Sequence, residues 1–71
     1  MKAIDSVGFW MDDRGRVISV NVSYNDGSIL IVPGDTFRAG GLPDDVRAFN
    51  GEDHEIDTIH LSNGKTLRVI Y

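Results

Sequence analysis

Cysteine is absent from this 71-residue chain, so no disulfide can staple it and no thiolate can attack a substrate or ligate zinc. Long apolar runs are missing too. The longest, Ile29 to Pro33, is far short of the ~20 residues that a membrane span needs. The first residues, Met1-Lys2-Ala3-Ile4-Asp5, lack the apolar stretch of a secretory signal. Positive charge is scarce: seven bases stand against eleven acids, and the net charge of -4 disfavours a nucleic-acid backbone as partner. A chain of this size buries only about 60% of the surface it would expose unfolded. These absences leave one small β-rich domain over residues 1–71, with a thin core and no covalent reinforcement.

What is present is a hairpin signal repeated three times. Gly15-Arg16-Val17-Ile18-Ser19-Val20, Gly27-Ser28-Ile29-Leu30-Ile31-Val32 and Gly64-Lys65-Thr66-Leu67-Arg68-Val69 share a template, with an aliphatic residue three after the Gly and Val five after it. Turn formers precede each Gly: Asp12-Asp13-Arg14, Asn25-Asp26 and Ser62-Asn63. A three-residue loop with Gly at a left-handed bulge position pairs Val22 with Leu30, Val20 with Val32, Ile59 with Leu67 and Trp10 with Ile18. A two-residue turn would place Leu30 opposite Ser23, so the longer loop is preferred. The expected strands are 7–12, 16–24, 28–33, 55–61 and 65–71. They form an α+β, mostly β fold: a five-stranded antiparallel meander or small partial barrel, with one short helix between strands 3 and 4.

That helix is signalled by Leu42-Pro43-Asp44-Asp45-Val46-Arg47-Ala48-Phe49-Asn50-Gly51. Proline and two Asp mark its start, and Gly51 stands where a C-terminal cap belongs. Leu42, Val46 and Phe49 share a face that must dock on the sheet. The preceding segment, 33–41, carries three glycines and reads as a flexible loop. Strict alternation assigns Trp10, Ile18, Val20, Val22, Leu30, Val32, Ile59, Leu67 and Val69 to the core face. It assigns Phe9, Met11, Val17, Ile29 and Ile31 to a second apolar face, with Val7, Ile56 and Ile70 beside them. Failed alternation means a partly buried second face, sealed either by barrel closure or by an interface such as a homodimer seam.

Charge is concentrated. Residues 44–57 hold six acids, Asp44, Asp45, Glu52, Asp53, Glu55 and Asp57, against the single base Arg47. Such a patch complements a basic protein surface, including a groove that normally holds nucleic acid. His54 and His60 lie among these acids, but on one straight strand they sit about 20 Å apart and cannot share an ion, so no metal is expected. No nucleophile elbow, phosphate loop or metallohydrolase motif occurs, so neither catalysis nor a cofactor is expected. The rival reading is a small-barrel binder of nucleic acid or nucleotides, using Arg14, Arg16, Arg38, Lys65 and Arg68 near Phe9, Tyr24 or Phe37. The favoured expectation is a non-enzymatic protein-binding module that docks a basic surface. By analogy of size and charge alone, it is an inhibitor of the kind made by viruses of bacteria, working in the cytoplasm of a bacterial or virus-infected host.

Overall fold

The computed structural model describes residues 2–49 and 54–71. In chain order the elements are β1 (Ile4–Met11), β2 (Val17–Tyr24), β3 (Ile29–Pro33), α1 (Gly34–Arg38), α2 (Asp44–Phe49), β4 (Ile56–His60) and β5 (Thr66–Ile70). The strands form one antiparallel sheet in the order β3-β2-β1-β5-β4. Strands β1 to β3 follow one another through hairpins, and the β4–β5 hairpin docks beside β1. The sheet is open, with β3 and β4 at its edges, so closure does not seal either face.

All three hairpin loops share one geometry. The N–H of Gly15, Gly27 and Gly64 donates to the carbonyl of Asp12, Tyr24 and Leu61 at 3.1, 3.1 and 3.2 Å. The N–H of Asp12, Tyr24 and Leu61 in turn donates to Arg16, Ser28 and Lys65. Each Gly has φ between 81° and 86°, the left-handed region that only glycine enters without strain. The expected pairs Val22–Leu30, Val20–Val32 and Ile59–Leu67 follow from these loops. Carboxylates reinforce two of them: Asp12 Oδ1 accepts from the backbone of Arg14 and Arg16, and Asp26 Oδ1 from Ser28. The Arg16 N–H, joined by the Arg14 N–H and the two guanidinium charges, holds the Asp12 carboxyl below its ordinary value of 3.8 against the opposing effect of desolvation.

The β1–β2 pair departs from the expected register. Met11 pairs with Val17 but Trp10 with Ser19, which leaves Ile18 as an extra residue in β2. The shift aligns Phe9 with Val20 and Val7 with Val22, and a second irregularity at Asp5 restores the original count. Because side chains alternate, one inserted residue moves Val7, Phe9 and Met11 to the face that holds Val20 and Val22. Trp10, Leu67, Val69 and Ile59, expected in the core, take the opposite face. The core is therefore Val7, Val20, Val22, Tyr24, Val32, Val46 and Ile70, each under a tenth exposed. Each buried side chain stabilises the fold by roughly 1.5–3 kcal/mol.

Both helices cover this face. α1 packs on β2 and β3, and α2 on β1. The stripe Leu42, Val46, Phe49 docks as expected, with Val46 1% exposed. Segment 33–41, expected as a flexible loop, instead contains α1 and an ordered stop. Gly41 N–H donates to Thr36 and Gly40 N–H to Phe37, at 2.9 and 3.0 Å, with Gly40 at φ 82°. That pair of bonds is a left-handed helix cap. The start of α1 leans on the β2 bulge: a Cβ on Gly34 would lie 2.2 Å from the Val17 carbonyl oxygen. The Arg38 guanidinium donates to that same carbonyl. The C-terminal cap expected at Gly51 lies outside the described residues.

Replacing Gly27 or Gly64 with Val is expected to cost about 1–2 kcal/mol through left-handed strain. Gly34→Ala should also lower the melting temperature, by steric conflict rather than strain, and thermal melts of the three variants check both. The carboxylate bonds of Asp12 stabilise the fold above its ordinary value and lose that contribution as pH falls through the depressed folded value. The gap in melting temperature between parent and Asp12→Ala should therefore be open at pH 7 and close in strong acid. Asp12→Asn keeps the acceptor, as Asn63 does in the third loop, and should hold its stability across that range.

Candidate functional site

Two surfaces of the sheet remain uncovered by the described helices, and they differ in chemistry. The first is the face opposite the helices. On it Trp10, Leu67, Val69 and Ile59 come from three adjacent strands, paired Trp10–Leu67 and Ile59–Leu67. Leu67 lies over Gly8, where a Cβ would stand 3.3 Å from Leu67 Cδ1. Ile59 is 44% exposed, while Trp10, Leu67 and Val69 are half-buried against one another's strands. Ile29 and Ile31 lie on the far side of the same face, separated from this cluster by the polar residues Ser19, Asn21 and Ser23 of β2. Asp57, paired with Val69, is the charged side chain of β4 that points to this side.

The expected second apolar face is thus divided. Ile29 and Ile31 do lie exposed, but Phe9, Met11 and Val17 belong to the helix side. The bulge at Ile18 is the reason, and the alternation that fails across β1 and β2 was its trace in the sequence.

The second surface is a cleft of about 210 Å³ on the helix side, lined by Phe9, Met11, Val17, Ile56, Arg68 and Ile70. Helices α1 and α2 rest on β3, β2 and β1, which leaves the β5–β4 half of this side open. Phe37 of α1 meets Phe9, one of the lining residues, edge-on with centroids 5.8 Å apart. The Arg38 guanidinium bonds the carbonyl of Val17, another lining residue. Strand alternation puts Arg68 and His60 on this side and Asp57 on the other.

The acidic segment is spread over several elements. Asp44 and Asp45 open α2, and Asp45 accepts a 3.2 Å bond from the Tyr24 hydroxyl. Burial, then the Asp45 charge, raises the Tyr24 phenol above its ordinary value of 10.0. Glu55 precedes β4 and Asp57 lies within it, both exposed, while Glu52 and Asp53 lie outside the described residues. His54 stacks on Phe49 with ring centroids 4.1 Å apart, and its Nδ1 lies 2.8 Å from the Tyr71 carbonyl. His60 faces the helix side of β4, paired with Thr66. Among the described residues no three His, Asp or Glu side chains gather as a metal site.

The aromatics named for nucleic-acid stacking are engaged elsewhere. Phe9 and Phe37 pack on each other, and Tyr24 is buried beneath the Lys2 ammonium, 4.2 Å from its ring centre. No described helix is long and apolar enough to cross a membrane. Comparison with protein-family models, with curated proteins and with solved structures finds no match.

Proposed function

We propose that the chain is a non-enzymatic protein-binding module that docks its open sheet face on a partner whose apolar patch is bordered by basic residues. The observation that carries this reading is the cluster Trp10, Ile59, Leu67 and Val69, contiguous over three strands and uncovered by any described helix. Soluble monomers keep such patches small, and larger ones mark contact surfaces. All five residues of β4 are exposed, and the free hydrogen-bonding edge of that strand borders the cluster. Charge favours a basic partner: Asp57 sits beside the cluster, and six of the eleven acids fall within residues 44–57. An inhibitor acting by occupation of a basic groove is the form of this activity that suits so small and acidic a chain.

Ile59→Lys and Asp57→Lys are exposed substitutions and should each change stability by no more than about 0.5 kcal/mol. In capture experiments from an extract of the producing cell, both variants should lose a partner that the parent retains. Loss with Asp57→Lys should grow less marked at high salt, because exposed charges are screened. Light scattering separates the remaining outcome. A concentration-dependent dimer abolished by Ile59→Lys would assign the face to a second copy of the chain, and unchanged capture by both variants would remove the face from the function.

A further inference from the structure

We propose that the cleft on the helix side of the sheet binds a small apolar monocarboxylic acid, with its carboxylate on Arg68 and its hydrocarbon between Phe9, Met11, Ile56 and Ile70. This surface is separate from the docking face, because alternation puts its side chains on the other side of the same strands. Five of the six lining residues are apolar and the sixth is a guanidinium. Arg68 has no hydrogen bond or ion pair among the described residues, so its planar fork is available for two parallel bonds to a carboxylate. Among the described residues, Arg38 on this side is bonded to the Val17 carbonyl, and the imidazole of His60 on β4 faces the same way. Among the described residues the lining contains no acid, so the cleft favours an anion although the chain is acidic.

Size and backbone chemistry narrow the ligand. About 210 Å³ falls below the ~300–1,000 Å³ of pockets for drug-sized molecules, which fits a short hydrocarbon chain or a single ring. β1 and β5 are interior strands whose backbone groups are spent on neighbours at both sides. The floor therefore offers a peptide main chain no donors, and a ligand with one polar end suits it best.

The full chain titrated with sodium octanoate, followed by backbone and methyl NMR, tests the assignment. Shifts should centre on Phe9, Met11, Ile56, Arg68 and Ile70, and 1-octanol should bind at least about tenfold more weakly than octanoate. Arg68→Met should lose about the same factor for octanoate while leaving octanol unchanged. The octanoate–octanol comparison on the parent stands even if that variant folds poorly. Equal binding of acid and alcohol, shifts centred on Ile59, Leu67 and Val69, or no shift at millimolar octanoate would each overturn the proposal. So would tighter binding of an apolar tripeptide with a free carboxylate, which would reassign the cleft to a peptide terminus.

Discussion

The surplus residue in β2, Ile18, sets which face the side chains of β1 from Ser6 to Trp10 take against the valines of β2. Without it, the register that starts at Met11–Val17 would continue to Gly8 opposite Val20 and Ser6 opposite Val22. Val7 and Phe9 would then face away from the valines of β2, and the thin core would lose two large side chains. Inserting one residue aligns Val7 with Val22 and Phe9 with Val20. The Val17 carbonyl stands at the distorted part of the strand, beside the register shift. Arg38 supplies a donor to it.

That bond positions the rest of the covered layer. Arg38 ends α1, and Gly34 begins it close against Val17 and Ile18, so the bulge grips the helix at both ends. Phe37, between them, meets Phe9. The Arg47 guanidinium then reaches the Gly40 carbonyl and ties α2 to the cap of α1. Two helices of five and six residues, one over β2 and β3 and the other over β1, cannot extend across a five-stranded sheet about 4.8 Å wide per strand. The uncovered β5–β4 half, and with it the cleft, follows from where the bulge stands.

Sequence reasoning succeeded where local chemistry decides conformation. The three glycines occupy a backbone region forbidden to other residues, so their turns and the β2–β3 and β4–β5 registers could be read directly. Leu42, Val46 and Phe49 announced α2 through spacing alone. It fails at α1, where Gly40 and Gly41 read as flexibility although glycine pairs also stop helices. It fails again at β1, because a bulge is set by what two strands gain jointly, and the broken alternation it leaves reads equally as a second buried face. The second error carried into the site, where Phe9, Met11 and Val17 were separated from their true neighbours on β2. The clue was present: Gly8 and Ser6 against two valines is a poor pairing, and weighing that alternative would have exposed the extra residue.

Charge summed along the chain does not describe either surface of the sheet, for a reason that belongs to strands in general. Neighbouring residues of a strand point to opposite sides, so a sum along the sequence mixes two surfaces that never meet. On the β4–β5 hairpin, Asp57 goes to the open face while Arg68 and His60 go to the helix side. The acidic balance of residues 44–57 therefore does not describe the cleft, whose one lining charge among the described residues, Arg68, is positive. The same sorting makes the two surfaces independent in mechanism. A change at Ile59 alters the open face without touching the side chains of Ile56 or Arg68, because the ladder between β4 and β5 holds both faces in place through the backbone. The proposed docking face and the proposed acid site can consequently be altered separately on one thin sheet.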